Sequence, residues 1–352
     1  MRSITITGFF LFLFYLSLPI SAQEKKDYKI LSVAFYNLEN LFDIHDDPAT
    51  FDNERTPHGK DRWTEAVYND KVKKMAEAIS TIGRKETGTP PALIGVCEIE
   101  NQSVLEDVVS HNLLESANYG IIHYDSPDQR GIDVGLLYNK NLFYPEHSYS
   151  HELVLYDRKY PGKRVFTRDQ LVVTGLLEGE RINIIVNHWP SRSGGEKASS
   201  YKRENAALLN KKIIDSLHRI DPYARIIVMG DFNDDPHDKS LRNILGAKTE
   251  RSDTGFRELY NPMAGLFKKG IGSSAYRDGW NLFDQILLSQ PFLEQEHSGY
   301  KYFRAMIFNE PFLVTQVGQY KGYPFRSFGS SGYIGGYSDH FPVYVLLIKE
   351  AP

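Results

Sequence analysis

The residues best suited to chemistry in this 352-residue chain sit where apolar runs stop. Val228-Met229-Gly230-Asp231-Phe232-Asn233 closes a run that begins at Ala224. A buried strand that leads into a carboxylate and an amide holds them over the carboxyl edge of a sheet, where α/β proteins keep their sites. Asp231 and Asn233 are two apart, so on extended backbone they share a face. One of the pair suits a water, the other a phosphate or metal-bound oxygen. Gly-Asp after a strand also makes ordinary turns, so the weight rests on what the other strand ends carry.

They carry the same kinds of group. Asn37 and Glu39 close Ala34-Phe35-Tyr36-Asn37-Leu38-Glu39-Asn40, and Glu98 ends Gly95-Val96-Cys97-Glu98. Glu100 is a rival to Glu98, two residues on, with Asn101 behind it. A carboxylate at the lip of a buried strand requires a cation or base partner. His188 follows Ile184-Ile185-Val186-Asn187 and precedes Trp189-Pro190-Ser191-Arg192, which points it and Arg192 toward phosphate. Asp284 lies in Leu282-Phe283-Asp284-Gln285-Ile286, and Ser338-Asp339-His340-Phe341-Pro342 opens the last apolar run. The economical pairing sets Asp284 against one ring nitrogen of His340, fixing its tautomer and favouring the imidazolium. The hard oxygen donors Glu98, Glu39, Asp339 and Asn37 suit Mg²⁺ or Mn²⁺, with Ca²⁺ also compatible, and not a thiolate zinc site. No Ser-His-Asp elbow or glycine-rich phosphate loop competes.

Alternating strands and helices must position these groups. Strand patterns cover 28–36, 92–97, 119–124, 132–138, 171–177, 181–187, 282–288 and 341–348, with a hairpin turn at Glu178-Gly179-Glu180. Tyr68, Val72, Met75, Ala76 and Ile79 recur at helical spacing, as do Ala206, Leu209, Ile213, Leu217 and Ile220. Further helices are expected over 104–114 and, weakly, 241–245. Strands outnumber helices, which disfavours a single doubly wound sheet. The expectation is one α/β domain over 23–352, with two packed sheets flanked by helices.

Met1–Ala22 reads as a secretory signal: Arg2, an apolar run over 9–20, and a small-residue exit at Ser21-Ala22. That run is shorter than the ~20 residues a spanning helix needs. Export to the periplasm or the medium is the expectation. Removing the segment takes one basic and no acidic residue, moving the formal charge from −4 to −5. An acidic chain is not a nucleic-acid binder working by bulk charge, although an enzyme can still reach one phosphate through a metal ion. Cys97 is the only cysteine, so no intrachain disulfide forms.

Taken in order, Tyr-Asn-Leu-Glu-Asn, Val-Cys-Glu, Asn-His-Trp-Pro-Ser-Arg, Gly-Asp-Phe-Asn, Phe-Asp-Gln-Ile and Ser-Asp-His-Phe-Pro-Val resemble the endonuclease/exonuclease/phosphatase superfamily. The wording is most similar to its predicted extracellular bacterial nucleases. The resemblance runs from about residue 30 to 348 and implies a four-layer sandwich, two mixed β-sheets face to face with helices outside. It implies Glu98 as principal metal ligand, with Asn37, Glu39 and Asp339 beside it. By the same resemblance, Asp231 orients or deprotonates the attacking water, and Asn233 holds a phosphate oxygen or that water. His188 and His340, the latter backed by Asp284, share the acid, base and charge-stabilising roles. Glu39 stands where many members carry Asp. Arg130 and Asp133, in Arg130-Gly131-Ile132-Asp133, look like the substrate-contact segment, with a surface ion pair as the alternative. Lys202 and Arg203 follow Arg192, where a solvated helix face is the plainer expectation. The Gly-, Ser- and aromatic-rich stretch 321–337 is either a base-stacking surface or a plain connector. The function expected is a metal-dependent nuclease, monomeric and without a stable protein partner. A sphingomyelinase-like or inositol-phosphate phosphatase-like hydrolase, or a binding protein on the same scaffold, are the alternatives.

Overall fold

Period-2 patterning resolves into two six-stranded sheets in a computed structural model that describes residues 27–330 and 332–351. The leader-like segment Met1–Ala22 lies outside the described residues. In chain order the sheet strands are β1 (Tyr28–Leu41), β2 (Leu93–Ile99), β3 (Tyr119–His123), β4 (Asp133–Asn139), β5 (Phe143–His151) and β6 (Gln170–Leu177). They continue as β7 (Glu180–His188), β8 (Ile226–Asp231), β9 (Leu259–Tyr260), β10 (Asp284–Ser289), β11 (Lys301–Ile307) and β12 (Val343–Glu350). The first sheet is ordered β11-β12-β1-β2-β4-β3 and the second β9-β10-β8-β7-β6-β5.

Each sheet holds one parallel pair, β1/β2 and β7/β8, and its other neighbours are antiparallel. A parallel pair needs a crossover. Helix α1 (Glu65–Thr81) makes the first, and α3 (Glu196–Ile220) the second. Between them α2 (Gln102–Ser110) starts at Asn101, whose side chain accepts the Val104 N–H at 3.1 Å.

Alternation along the central strands decides the layers. Leu31, Val33 and Phe35 of β1 meet Ile227 and Met229 of β8 between the sheets. Ala34, Tyr36 and Leu38 turn the other way onto Met75 and Ile79 of α1. On the far side Ile226 and Val228 pack on Ala206 and Ile213 of α3. Each large side chain so buried contributes ~1.5–3 kcal/mol. The expected four-layer arrangement is therefore present. The sheets approach so closely at Gly95 that a Cβ there would lie 2.5 Å from Met229 Sδ. Among the described residues, no helix is long and apolar enough to cross a membrane.

Edge positions differ from expectation. Strand β5 carries Pro145 and a register shift between Pro145 and His147, and β11 shifts between Tyr302 and Arg304. Bulged, half-polar edge strands break simple alternation, so neither stands out in the sequence. Likewise, α2 stops at Ser110, and 240–245 is a single π-helical turn. The 321–337 stretch is neither open platform nor plain connector. Phe328 is buried 5.4 Å from the Trp63 ring, and Tyr333 packs edge-on against Trp63 at 5.8 Å.

Candidate active site

Register puts three functional side chains in one row. In the second sheet His188 of β7 pairs with Asp231 of β8, and Asp231 pairs with Asp284 of β10. All three share the inward face with Ile184, Met229 and Ile286. Gly230 permits the tight packing beside Asp231, since a Cβ there would sit 2.4 Å from the Asn187 carbonyl oxygen. Asn187, one residue off the row, points to the opposite face. It donates to the Met229 carbonyl oxygen at 3.1 Å and accepts from Trp189 Nε1 at 3.1 Å.

The first sheet answers across the gap. Asn37 and Cys97 are register partners on β1 and β2. Beyond them, Glu98 is a left-handed residue at φ 58° that interrupts the β2 ladder. A non-glycine residue there is uncommon, and such strain concentrates at functional sites. Asn37 Nδ2 donates to Glu98 Oε1 at 3.3 Å and to Asp231 Oδ2 at 3.2 Å, joining the sheets. The Asn40 N–H fixes the other Glu98 oxygen at 3.1 Å. His188 Nε2 stands 3.8 Å from both Glu98 Oε1 and Asp231 Oδ2.

The two histidines have opposite electrostatics. His340 Nδ1 lies 2.6 Å from Asp284 Oδ2, which also accepts from Ser273 Oγ at 2.5 Å. Burial works against charge on His340, but Asp284, Asp231 and Asp339 outweigh it and hold the imidazolium well above its usual range. For His188, burial and then the charges of Arg168, Arg130 and His340 all favour the neutral ring. Burial also pushes the Asp231 carboxyl up, to about 7.

A sequence model of the Endonuclease/Exonuclease/phosphatase family matches residues 32–349. The chain belongs to the endonuclease/exonuclease/phosphatase family. Family members are hydrolases acting on phosphoester bonds. Comparison with curated protein sequences returns no significant match. Among solved structures, the chain resembles a family protein from Bacteroides thetaiotaomicron at 16% identity and TM-score 0.55, covering 93% of this chain and 100% of that one. A mannosyl-6-phosphatase from the same organism gives 16% identity and TM-score 0.51, covering 90% and 99%. TDP2 from D. rerio, complexed with a single-strand DNA product, gives 12% and TM-score 0.51, covering 90% and 98%. At these identities the likeness is one of fold.

Placed against this family's chemistry, the expected residues divide. Asn37, Glu98, His188, Asp231, Asp284 and His340 converge on one rim. Glu100 does not compete with Glu98: its carboxylate accepts the Asp43 N–H at 2.7 Å, and burial with Asp43 and Asp52 nearby raises it to about 8. Glu39 is spent elsewhere, because its oxygens accept the N–H groups of Ser327 at 2.5 Å and Phe328 at 3.3 Å. Asp339 faces Arg326, which bridges it to Glu39 with 3.5 Å contacts on each side. The Asn233 side chain donates to the Trp189 carbonyl oxygen at 3.0 Å, and its backbone N–H holds Asp231 Oδ1 at 2.9 Å. Asn233 thus fixes Asp231 through its backbone and ties one of its two amide N–H groups to the Trp189 carbonyl.

Three basic expectations need correction. Arg192 is not free for phosphate: it pairs with Asp234, Asp235 and Asp238 at 2.7–3.4 Å and lies over the Phe283 ring. Arg203 is fully buried, not solvated, and grips Asp234 at 2.6 Å. Arg130 and Asp133 form no ion pair with each other. Asp133 meets His123 Nε2 at 3.0 Å, whereas Arg130 braces on Asp128 at 3.2 Å and keeps its side chain half exposed.

Arg168 escaped notice in the sequence. It is buried beside the site, donating to Asp128 at 2.9 Å and to the Trp189 carbonyl oxygen at 2.7 Å. Its signal was a charge just before an apolar run. Strand β6 is antiparallel to β7, so its start, not its end, lies at the rim. The carboxylates of Glu98 and Asp231 are hard oxygen donors that suit a divalent cation, whereas Asn37 turns its amide nitrogen to both of them and its Oδ1 accepts the Glu39 N–H at 2.9 Å, so it orients the pair and does not supply the oxygen ligand expected of it.

Proposed function

We propose that this chain is an exported, divalent-metal-dependent phosphodiesterase acting on nucleic acid. The observation that carries the reading is the meeting of Asn37, Glu98, His188, Asp231, Asp284 and His340 from six strand termini at one rim. A cation held by Glu98, Mg²⁺ or Mn²⁺, would neutralise charge on the phosphoryl oxygens, and Asn37 orients the Glu98 carboxylate by donating to its Oε1. Asp231, its orientation fixed by Asn37 and by the Asn233 N–H, aligns the attacking water and takes its proton. The His340 imidazolium, locked by Asp284, stabilises the charge that develops on the phosphoryl group. His188 contributes a neutral ring within reach of the same position. Arg130, half exposed and near enough for its charge to act on His188, is the phosphate contact on the substrate side.

Likeness in fold to TDP2 bound to single-strand DNA product supports nucleic acid as substrate. The mannosyl-6-phosphatase of similar fold supports a sugar or inositol phosphomonoester as the second reading. The test is a panel of plasmid DNA, RNA, bis-(4-nitrophenyl) phosphate, mannose 6-phosphate, inositol phosphates and sphingomyelin, each with Mg²⁺, Mn²⁺ or EDTA. Diester cleavage that needs metal, and is abolished in folded Glu98→Ala and His340→Ala, is expected. Chelator-insensitive turnover would overturn the mechanism, and turnover of monoesters or lipid alone would replace the substrate.

A further inference from the structure

Beneath the rim lies a donor set that the hydrolytic reading leaves unused. One atom each from Cys97, His188 and Asp231 lie within 4.8 Å of one another, contributed by β2, β7 and β8. A tetrahedral zinc site with ordinary Zn–S, Zn–N and Zn–O bonds has ligand–ligand edges of about 3.3–3.8 Å. Small side-chain rotations therefore close the set around one ion.

One further fact points the same way. The imidazole of His188 is buried, and its Nδ1 has no hydrogen-bond partner. A buried polar atom left unpaired in a native fold asks for a reason, an unseen ion among them. Thiolate with imidazole is a borderline-soft pairing that selects against Mg²⁺.

We propose that Cys97, His188 and Asp231 form a second, inhibitory cation site, selective for a borderline-soft divalent ion such as Zn²⁺. Binding exchanges the Cys97 thiol proton for the metal and releases that proton to solvent, with no redox step. The filled site withdraws Asp231 and His188 from hydrolysis. That inhibitory consequence rests on the proposed function, whereas the binding itself does not. Cys97 is fully buried and holds no part of the hydrolytic machinery, so it is the residue to change.

The purified protein, reduced with a phosphine, is titrated with Co²⁺ while thiolate-to-metal charge-transfer absorption is followed in the near-ultraviolet. Wild type is expected to show the band and lose it to Zn²⁺, and Cys97→Ser and Cys97→Ala to lack it. With Mg²⁺ saturating, the Zn²⁺ concentration for half-inhibition should rise at least about tenfold in both variants. Absence of the band in wild type overturns the site. Equal Zn²⁺ sensitivity in all three proteins overturns the inhibition. If no substrate is turned over, the absorption experiment still decides the binding, so the two readings fail separately.

Discussion

His340 and Asp284 meet at 2.6 Å through Nδ1 and Oδ2, although 56 residues separate them in the chain. Asp284 is fully buried and its other neighbours at that oxygen include Ser273. The carboxylate therefore both orients the ring and sustains its positive charge. In Asp284→Asn the His340 titration should fall toward the ordinary histidine range, read by ¹⁵N NMR of the ring. The rate of diester hydrolysis at pH 7 should drop by ~10²–10⁴. An unchanged ring titration would remove Asp284 from this role.

Arg192 and Arg130 offer a contrast in how arginines are used. Arg192 is engaged by Asp234, Asp235 and Asp238, whereas the Arg130 side chain is half exposed. Arg192→Ala should lower unfolding free energy by about 2 kcal/mol, as expected for lost charge-assisted bonds, and leave KM nearly unchanged. Arg130→Ala should raise KM about tenfold with little loss of stability, a difference of ~1.4 kcal/mol in binding. Urea melts and steady-state kinetics on the two variants check this; the opposite assignment of effects would restore Arg192 as the phosphate contact.

Glu39 separates an anchoring role from a metal-binding one. Its carboxylate takes the Ser327 and Phe328 N–H groups, and buried Lys71 donates to Ser327 Oγ at 2.5 Å and to the Tyr337 carbonyl oxygen at 2.6 Å. Breaking a buried charged network costs about 3–5 kcal/mol. Glu39→Ala should lose that much stability and speed amide exchange at Ser327 and Phe328. A shifted Mg²⁺ requirement at unchanged stability would return Glu39 to the ligand set.

Asp128 should keep its charge further into acid than an ordinary carboxylate. Burial pushes its carboxyl up, but Arg168 and Arg130 outweigh burial and hold it below the usual carboxylate range. A depressed folded-state value contributes stability that is present above the unfolded pKa of ~3.9 and lost as pH falls through the folded value. Asp128→Asn, which leaves buried Arg168 without its 2.9 Å partner, should be ~3–5 kcal/mol less stable than wild type at pH 7. The gap should narrow below about pH 4. Denaturant melts across that range measure it, and a gap independent of pH would show that the ion pair is not the cause.

Residue type and local period were sufficient to single out Asp231, His188, Glu98, Asn37, Asp284 and His340, which the fold brings to one rim, because a polar group that ends a buried strand is costly unless used. The same rule named Glu39 and Arg192, and there it stopped. Whether a strand-end carboxylate faces a cleft or a loop N–H depends on bulges such as those at Glu39 and Glu98, both left-handed, and on which segment packs above. Those contacts join residues up to 289 positions apart, as between Glu39 and Phe328. Strand direction was equally hidden: Arg168 stands at the rim because β6 runs antiparallel to β7. The sequence determined which polar groups end the strands and the family that they mark. Only the packing of one sheet on the other decided which of those carboxylates and guanidiniums are tied into the scaffold and which face the rim.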